Sequence, residues 1–79
     1  MYATRRPPAE PDETAVPRLS AREFAVLSWL ARGKSGGEIG LILGIRVPTV
    51  RIHIRNIFRK LEAVNIPHAV ARAFLCGIL

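Results

Sequence analysis

Apolar residues recur at the spacing of an α-helix in four segments of the chain, at about residues 21–32, 36–43, 47–62 and 65–77. Apolar positions at i, i+3, i+4 and i+7 are typical of amphipathic helices that bury one face. No segment alternates apolar and polar residues as a half-buried strand does, and the sequence contains no internal repeat. We therefore predict an all-α fold, a four-helix bundle.

Polar residues at fixed positions predict where the helices begin. Ser20 and Glu23 have the spacing of a capping box, in which the serine hydroxyl accepts a backbone N–H and the glutamate accepts the N–H of the cap residue. Ser35 and Glu38 repeat this spacing at the start of the second predicted helix. Asn65 is the expected N-cap of the fourth helix. Three of the four predicted helices therefore begin with a side-chain cap.

A short turn is predicted between the second and third helices. Gly44 can adopt the left-handed conformation that ends a helix, and Pro48 is tolerated only in the first turn of the next one. Gly40 lies where a close approach to another helix would explain the missing side chain. Two helices joined by such a turn fit the helix-turn-helix geometry, in which the second helix can enter a DNA groove. The four-helix bundle should therefore contain a central helix-turn-helix.

The third predicted helix has two different faces. Its apolar stripe, which should pack inside the domain, comprises Val50, Ile54, Ile57, Phe58 and Leu61. Arg51, Arg55 and Arg59 follow one another at i, i+4 and i+8 on another face, and we call them the cationic row. No acidic residue lies between Arg46 and Lys60 to neutralise this row, whereas a solvated helix face usually mixes charges. The pattern indicates a polyanionic partner.

The charge of the whole chain supports the same partner. The 79 residues carry a net charge of +6, and the three arginines of residues 1–18 cancel three acids there, so the excess lies in residues 19–79. A basic domain of this size is the expected electrostatic footprint of nucleic-acid binding, although a solvated basic surface is the alternative. Prolines are frequent in residues 1–18, so we expect a flexible tail or linker there and one folded domain at 19–79.

Several classes of function are disfavoured by the composition. No apolar run is long enough to span a membrane, and the chain begins without a secretory signal, so a cytoplasmic protein is expected. Cys76 is the single cysteine, and His53 and His68 are the only histidines, so we expect neither a disulfide nor a metal site. Glu23 and Glu38 are explained by helix capping. No catalytic arrangement or cofactor is expected, and the protein is predicted not to be an enzyme.

A series of spaced motifs covers residues 19–79 without an apparent gap. The motifs are Leu19-Ser20-x-Arg22-Glu23-x-x-Val26-Leu27, Ala31-x-Gly33-Lys34-Ser35-x-x-Glu38-Ile39, Leu43-Gly44-Ile45, Thr49-Val50-x-x-His53-Ile54-x-Asn56-Ile57-x-x-Lys60-Leu61 and Ala69-Val70-x-x-Ala73. The series resembles the LuxR-type DNA-binding domain of bacterial transcription regulators, and it is closest to the quorum-sensing branch. The resemblance implies a four-helix domain that inserts its third helix into the major groove and reads an inverted repeat, as a dimer formed through the last helix.

The resemblance also implies roles for individual residues. Arg51 and Arg55 match positions that reach base edges in the family, and Ile52 matches a neighbouring position that faces the groove. An arginine can donate two hydrogen bonds to guanine, and an isoleucine can contact a thymine methyl. The alternative for both arginines is phosphate contact alone. Phosphate contacts are expected from Arg46, Thr49, Arg59 and Lys60.

The implied partners follow from the family. Dimerisation through the last helix is a hypothesis that rests on Val70, Ala73 and Phe74. RNA polymerase and an N-terminal sensor domain outside this chain are further possible partners of such a regulator. The expected location is the bacterial cytoplasm, on the nucleoid.

The sequence departs from the family at two places, and the second of them, together with the fourth helix, suggests an alternative function. Arg46 and Val47 stand where a serine or threonine usually caps the third helix, which would forfeit about 1 kcal/mol of capping. Leu41 and Ile42 make the second helix more apolar than its outer face needs, as a docking patch would. The alternative function is therefore a protein-interaction module, an adaptor or anti-activator, that keeps the fold without binding DNA specifically.

Overall fold

A computed structural model describes residues 16–79, which form four helices. They are α1 (Ala21–Ala31), α2 (Gly36–Leu43), α3 (Val47–Leu61) and α4 (Ile66–Leu75), and the described residues contain no strand. The predicted all-α class is confirmed, and each predicted helix agrees with the observed one to within a residue or two at either end. Most of the predicted 1–18 tail lies outside the described residues, so the domain boundary stays a prediction.

The helices begin as the cap residues predict. The Ser20 hydroxyl accepts the Glu23 N–H at 3.0 Å, and the Glu23 carboxylate accepts the Ser20 N–H at 2.9 Å. Ser35 and Glu38 form the same pair of bonds at 3.1 and 2.8 Å. The Asn65 side chain accepts the His68 N–H at 2.8 Å at the start of α4. Both predicted capping boxes and the predicted asparagine cap are therefore confirmed.

The turn between α2 and α3 depends on two glycines. Gly44 ends α2 in the left-handed conformation with φ +72°, which a residue with a side chain adopts only at a cost. Gly40 lies against the turn, because a Cβ built on it would be 2.7 Å from the carbonyl oxygen of Ile45. The Ile45 N–H also donates to the Gly40 carbonyl at 3.0 Å. A close approach at Gly40 is confirmed, but its nearest partner is the turn that leads into α3 and not another helix, whose nearest atoms are 3.8 Å away.

Helix α3 lies at the centre of the domain and contacts each of the other three helices. The buried core comprises Val26, Leu27, Leu30, Ile39, Val50, Ile57, Leu61, Ala69 and Ala73. Within the predicted stripe of α3, Val50, Ile57 and Leu61 are buried, and Ile54 and Phe58 are half-buried against this core. Burying a large aliphatic side chain stabilises a fold by about 1.5–3 kcal/mol. The stripe therefore fixes how α3 is rotated, and with it the direction of its polar face.

None of the helices described here combines the length and apolar composition that crossing a bilayer requires.

Candidate nucleic-acid interface

The outer face of α3 presents the cationic row to solvent. Arg51, Arg55 and Arg59 are all exposed, and Ile52 between them is 51% exposed. Since an α-helix rises 1.5 Å per residue, the row extends along about 12 Å of the helix. Within residues 16–79 the one ion pair is formed elsewhere, so none of these three arginines is paired with an acid of the described chain. The arrangement offers three guanidinium groups along one side of a rigid helix.

The beginning of α3 extends this basic surface. Arg46 and Thr49 are exposed, and the first turn of the helix contains no acidic residue. At the other end of the row, an Arg59 guanidinium nitrogen donates to the Asn56 side-chain oxygen at 3.2 Å. This bond restricts where the Arg59 side chain points, and its remaining N–H groups are available to an anion.

Lys60 is placed differently from the other predicted phosphate contacts. Its ammonium nitrogen lies 2.8 Å from the Glu23 carboxylate of α1, and its side chain is 30% exposed. Glu23 is only 5% exposed and is the one buried charged residue of the region that the structure describes. Removing the Lys60 ammonium would leave the buried charge of Glu23 without its partner, which is destabilising. Lys60 therefore pairs with Glu23 within its own chain, and its expected phosphate contact stays a prediction.

The surroundings of Glu23 act on its carboxyl in opposite directions. Burial raises the pKa of Glu23, whereas the hydrogen bonds from Lys60 and Ser20 and the charge of Lys60 lower it. Together the hydrogen bonds and the charge of Lys60 outweigh the effect of burial, so the pKa of Glu23 lies below the ordinary value of a glutamate. The carboxylate is therefore charged at neutral pH, and it joins the start of α1 to the last turn of α3.

The sequence patterns do not predict this ion pair. The spacing of Glu23 from Ser20 indicates only a cap partner, and Lys60 lies 37 residues away. A signal was present, because Glu23 lies three and four residues before the buried Val26 and Leu27 and so shares their face of α1. An acid on an apolar helix face needs a partner in the interior.

The residues expected at a dimer interface are placed unequally. Phe74 is 60% exposed and Val70 is half-buried, but Ala73 is fully buried in the core of its own chain. The Ala73 side chain therefore has no surface left for a second copy, which corrects that part of the expectation. Leu75, which was not predicted, is exposed beside Phe74 on α4.

Two further arginines make contacts that no sequence pattern predicts. The Arg72 Nε of α4 donates to the carbonyl oxygen of Leu61 at the end of α3. The Arg32 guanidinium lies over the Trp29 ring, 5.2 Å from its centroid. Trp29 itself is half-buried against the core. Arg72 thus links α4 to α3, and Arg32 covers the end of α1.

Other residues singled out from the sequence lie apart from the cationic row. Leu41 is 86% exposed on α2, and Ile42 beside it is also exposed. His53 is half-buried, and the His68 Nδ1 accepts the Val64 N–H at 3.2 Å. Over the described part of the chain, no three potential metal ligands lie close enough together to hold an ion.

The fold and the site define a class of protein. Two helices, α2 and α3, are joined by a turn of three residues, 44–46, and the second of them presents a basic outer face, as in helix-turn-helix domains. The family model described as bacterial regulatory proteins, luxR family, matches residues 17–73. The chain belongs to this family, and the resemblance seen in the sequence motifs is confirmed.

Several transcription regulators are similar to this chain. The HTH-type quorum sensing-dependent transcriptional regulator RpaR of Rhodopseudomonas palustris is 44% identical over 62 residues, which are 78% of this chain and 26% of RpaR. The HTH-type quorum-sensing regulator RhlR of Pseudomonas aeruginosa is 46% identical over 61 residues, 77% of this chain and 25% of RhlR. The transcriptional activator protein SolR of Ralstonia nicotianae is 41% identical over 73 residues, which are 92% of this chain and 30% of SolR. The chain spans between a quarter and a third of the length of these relatives.

Proposed function

We propose that the chain is the DNA-binding part of a transcription regulator and that it reads a specific sequence in the major groove with α3. The observation that carries the proposal is the exposed cationic row on the second helix of a helix-turn-helix. The buried apolar stripe holds this row outward, and none of its arginines forms an ion pair with an acid of the described residues. The names of its relatives, which are transcriptional regulators and activators, support the same role.

Base reading is assigned to the middle of the helix. Arg51 and Arg55 are one turn apart and exposed, so each can donate two hydrogen bonds to the O6 and N7 of a guanine. Ile52 presents an exposed apolar side chain between them, which suits a thymine methyl group. Arg46, Thr49 and Arg59 are assigned to phosphates, which position the helix without reading sequence.

A dimer is part of the proposal. Helix α4 exposes Phe74 and Leu75 to solvent, and Val70, which packs in part against the core, keeps some exposed surface. Two copies that meet through these residues would place two α3 helices on the halves of an inverted repeat, because a two-fold protein dimer matches a two-fold DNA site.

The larger context is also proposed from the relatives. Two of them are named quorum-sensing regulators, and we propose that this chain acts in the same kind of response, with a sensor domain and RNA polymerase as partners. A regulator that binds DNA acts where the chromosome lies, so we place it in the bacterial cytoplasm, on the nucleoid.

The experiment is a selection of bound duplexes from a random pool, followed by affinity measurements with Arg51→Ala and Arg55→Ala. Each substitution should cost about 1–3 kcal/mol on the selected site and relax the base preference at one position. Arg22→Ala is the matched control, because it removes the same charge from an exposed position of α1. Equal losses on selected and random DNA would demote both arginines to phosphate contacts.

The exposed Leu41 favours a second function, that of an adaptor or anti-activator which binds a protein through α2. The salt dependence of DNA binding separates the two functions. A DNA-binding protein loses affinity with a log–log slope of about −0.9 for each phosphate that it neutralises. An adaptor would show no such slope on duplex DNA, and it would select no sequence from the pool.

A further inference from the structure

The last turn of α3 is bound by polar side chains from two other helices. Lys60 pairs with Glu23 of α1 at 2.8 Å, and the carbonyl of Leu61, the next residue, accepts a hydrogen bond from Arg72 of α4. Both contacts lie within one turn of the end of the helix that carries the cationic row. The orientation of that helix therefore depends on α1 and on α4.

The Leu61 carbonyl needs a partner from outside its own helix. The last carbonyls of a helix have no intrahelical donor. Here the N–H of Ala63 donates to Phe58 at 2.9 Å and that of Glu62 to Arg59 at 3.3 Å, so the reversal of the chain satisfies two of them. Arg72 supplies the donor for Leu61 and also places a cation at the negative end of the helix dipole.

Arg72 is well placed to transmit the position of α4. Ala69 and Ala73, on the same helix, are fully buried, so α4 is packed tightly against the core. A shift of α4 would therefore move the Arg72 guanidinium with it. Phe74, which we assign to the dimer interface, lies about 200° around the helix from Arg72, since successive residues are about 100° apart. One side of α4 thus faces the proposed partner subunit while another side holds the end of α3.

We propose that Arg72 is a positioning residue that sets the angle between α4 and α3, and thereby the separation of the two DNA half-sites that the dimer accepts. The inference rests on the proposed function, because it needs a dimer formed through α4 on DNA. Arg72 acts through the Leu61 carbonyl and touches no base. Its loss should therefore alter which spacing is bound rather than which bases are read.

The test uses the full chain and inverted repeats of the half-site that wild-type protein selects from random duplex DNA. The spacing between half-sites is varied one base pair at a time, and the Kd is measured for each spacing and for a single half-site. Wild-type protein should prefer one spacing. Arg72→Met keeps a long side chain without its hydrogen-bond donors, so it should bind the single half-site with the wild-type Kd. The ratio of Kd values between the other spacings and the preferred one should fall by about 2- to 30-fold, the range of coupling changes seen in proteins.

Two variants keep the result interpretable. Arg72→Lys retains a cation, but its nitrogen lies one bond further along the side chain than Nε, so part of the preference should be lost. Arg22→Met removes the same charge from the exposed surface of α1 and should keep the preference unchanged. If Arg72→Met does not fold, as judged by circular dichroism, Arg72→Lys decides the question.

A wild-type spacing preference in the folded Arg72 variants would overturn the inference. An equal loss on the single half-site and on every spacing would also overturn it, because Arg72 would then be an ordinary stabilising residue. Wild-type protein that reads the half-site but accepts all spacings equally would refute the proposed dimer and this inference with it. Failure of the wild type to select any sequence would refute the proposed function itself.

Discussion

Replacing Gly40 with alanine should destabilise the domain although alanine favours helices. A Cβ at this position would be 2.7 Å from the Ile45 carbonyl oxygen, which belongs to the backbone of the turn and cannot rotate away as a side chain can. The turn must therefore move, and the 3.0 Å hydrogen bond from the Ile45 N–H to the Gly40 carbonyl must bend with it. The expected direction is opposite to that of helix propensity.

The magnitude follows from three contributions. Overpacking of a filled interior costs about 1–3 kcal/mol. A weakened hydrogen bond adds about 0.5–1.5 kcal/mol. Alanine regains about 1 kcal/mol of helix propensity over glycine. The net loss is thus centred on about 2 kcal/mol, and for a domain of this size each kcal/mol lowers the Tm by roughly 4–8 °C.

The assay is thermal and urea unfolding followed by circular dichroism, with Gly37→Ala as the matched control. Gly37 lies in the same helix, and the nearest atom to its added Cβ is the Ser35 hydroxyl oxygen at 3.9 Å, an ordinary contact. Gly37→Ala should therefore gain up to about 1 kcal/mol. A Gly40→Ala protein as stable as wild type would show that the Ile45 carbonyl can move away from the added Cβ at no cost. A glycine would then not be required at position 40.

Two further predictions concern glutamates. Glu62 ends α3 with φ +54°, a left-handed conformation that costs a residue with a side chain about 1–2 kcal/mol, so Glu62→Gly should raise the free energy of unfolding by about 0.5–1 kcal/mol in urea titrations. Glu23→Gln should lower it by about 1–2 kcal/mol at neutral pH, because the amide keeps an acceptor for Ser20 but loses the charge that pairs with Lys60. Since folding lowers the pKa of Glu23, its contribution is complete above the ordinary pKa of a glutamate and is lost as the pH falls through the folded value. Wild type and Glu23→Gln should therefore converge in stability in acid.

Each of these predictions has a control within the chain. Glu62→Ala removes the same charge but keeps the left-handed strain, so an Ala variant as stable as the Gly variant would contradict the backbone explanation. Glu38→Gln alters the exposed glutamate of the other capping box and should cost less than Glu23→Gln. A difference between wild type and Glu23→Gln that is constant with pH would mean that the charge of Glu23 is not what stabilises the fold.

The sequence predicted what local contacts decide. The two capping boxes, the asparagine cap and the glycine turn involve residues a few positions apart, so their spacing alone indicates them. The apolar stripe of α3 was predicted because helical periodicity places its members on one face. The outward direction of Arg51 and Arg55 follows from the same periodicity, since a buried stripe leaves the remaining positions to solvent.

Contacts between distant segments could not be predicted in the same way. The pairing of Glu23 with Lys60 depends on how α1 crosses α3, and the bond from Arg72 to the Leu61 carbonyl depends on how α4 folds back. Neither crossing is encoded in a local spacing. Ala73 shows the same limit, because periodicity identifies the apolar side of α4 but cannot distinguish a side that faces the core from one that faces a partner.

The start of α3 explains why an arginine is acceptable at a capping position. A cap side chain serves the N–H groups of the second and third helical residues. Here the second is Pro48, which has no N–H, and the third is Thr49, whose N–H already donates to the Arg46 carbonyl at 2.9 Å. A serine or threonine would therefore gain little as a cap here, and position 46 can instead carry a long cation at the start of the helix that bears the cationic row.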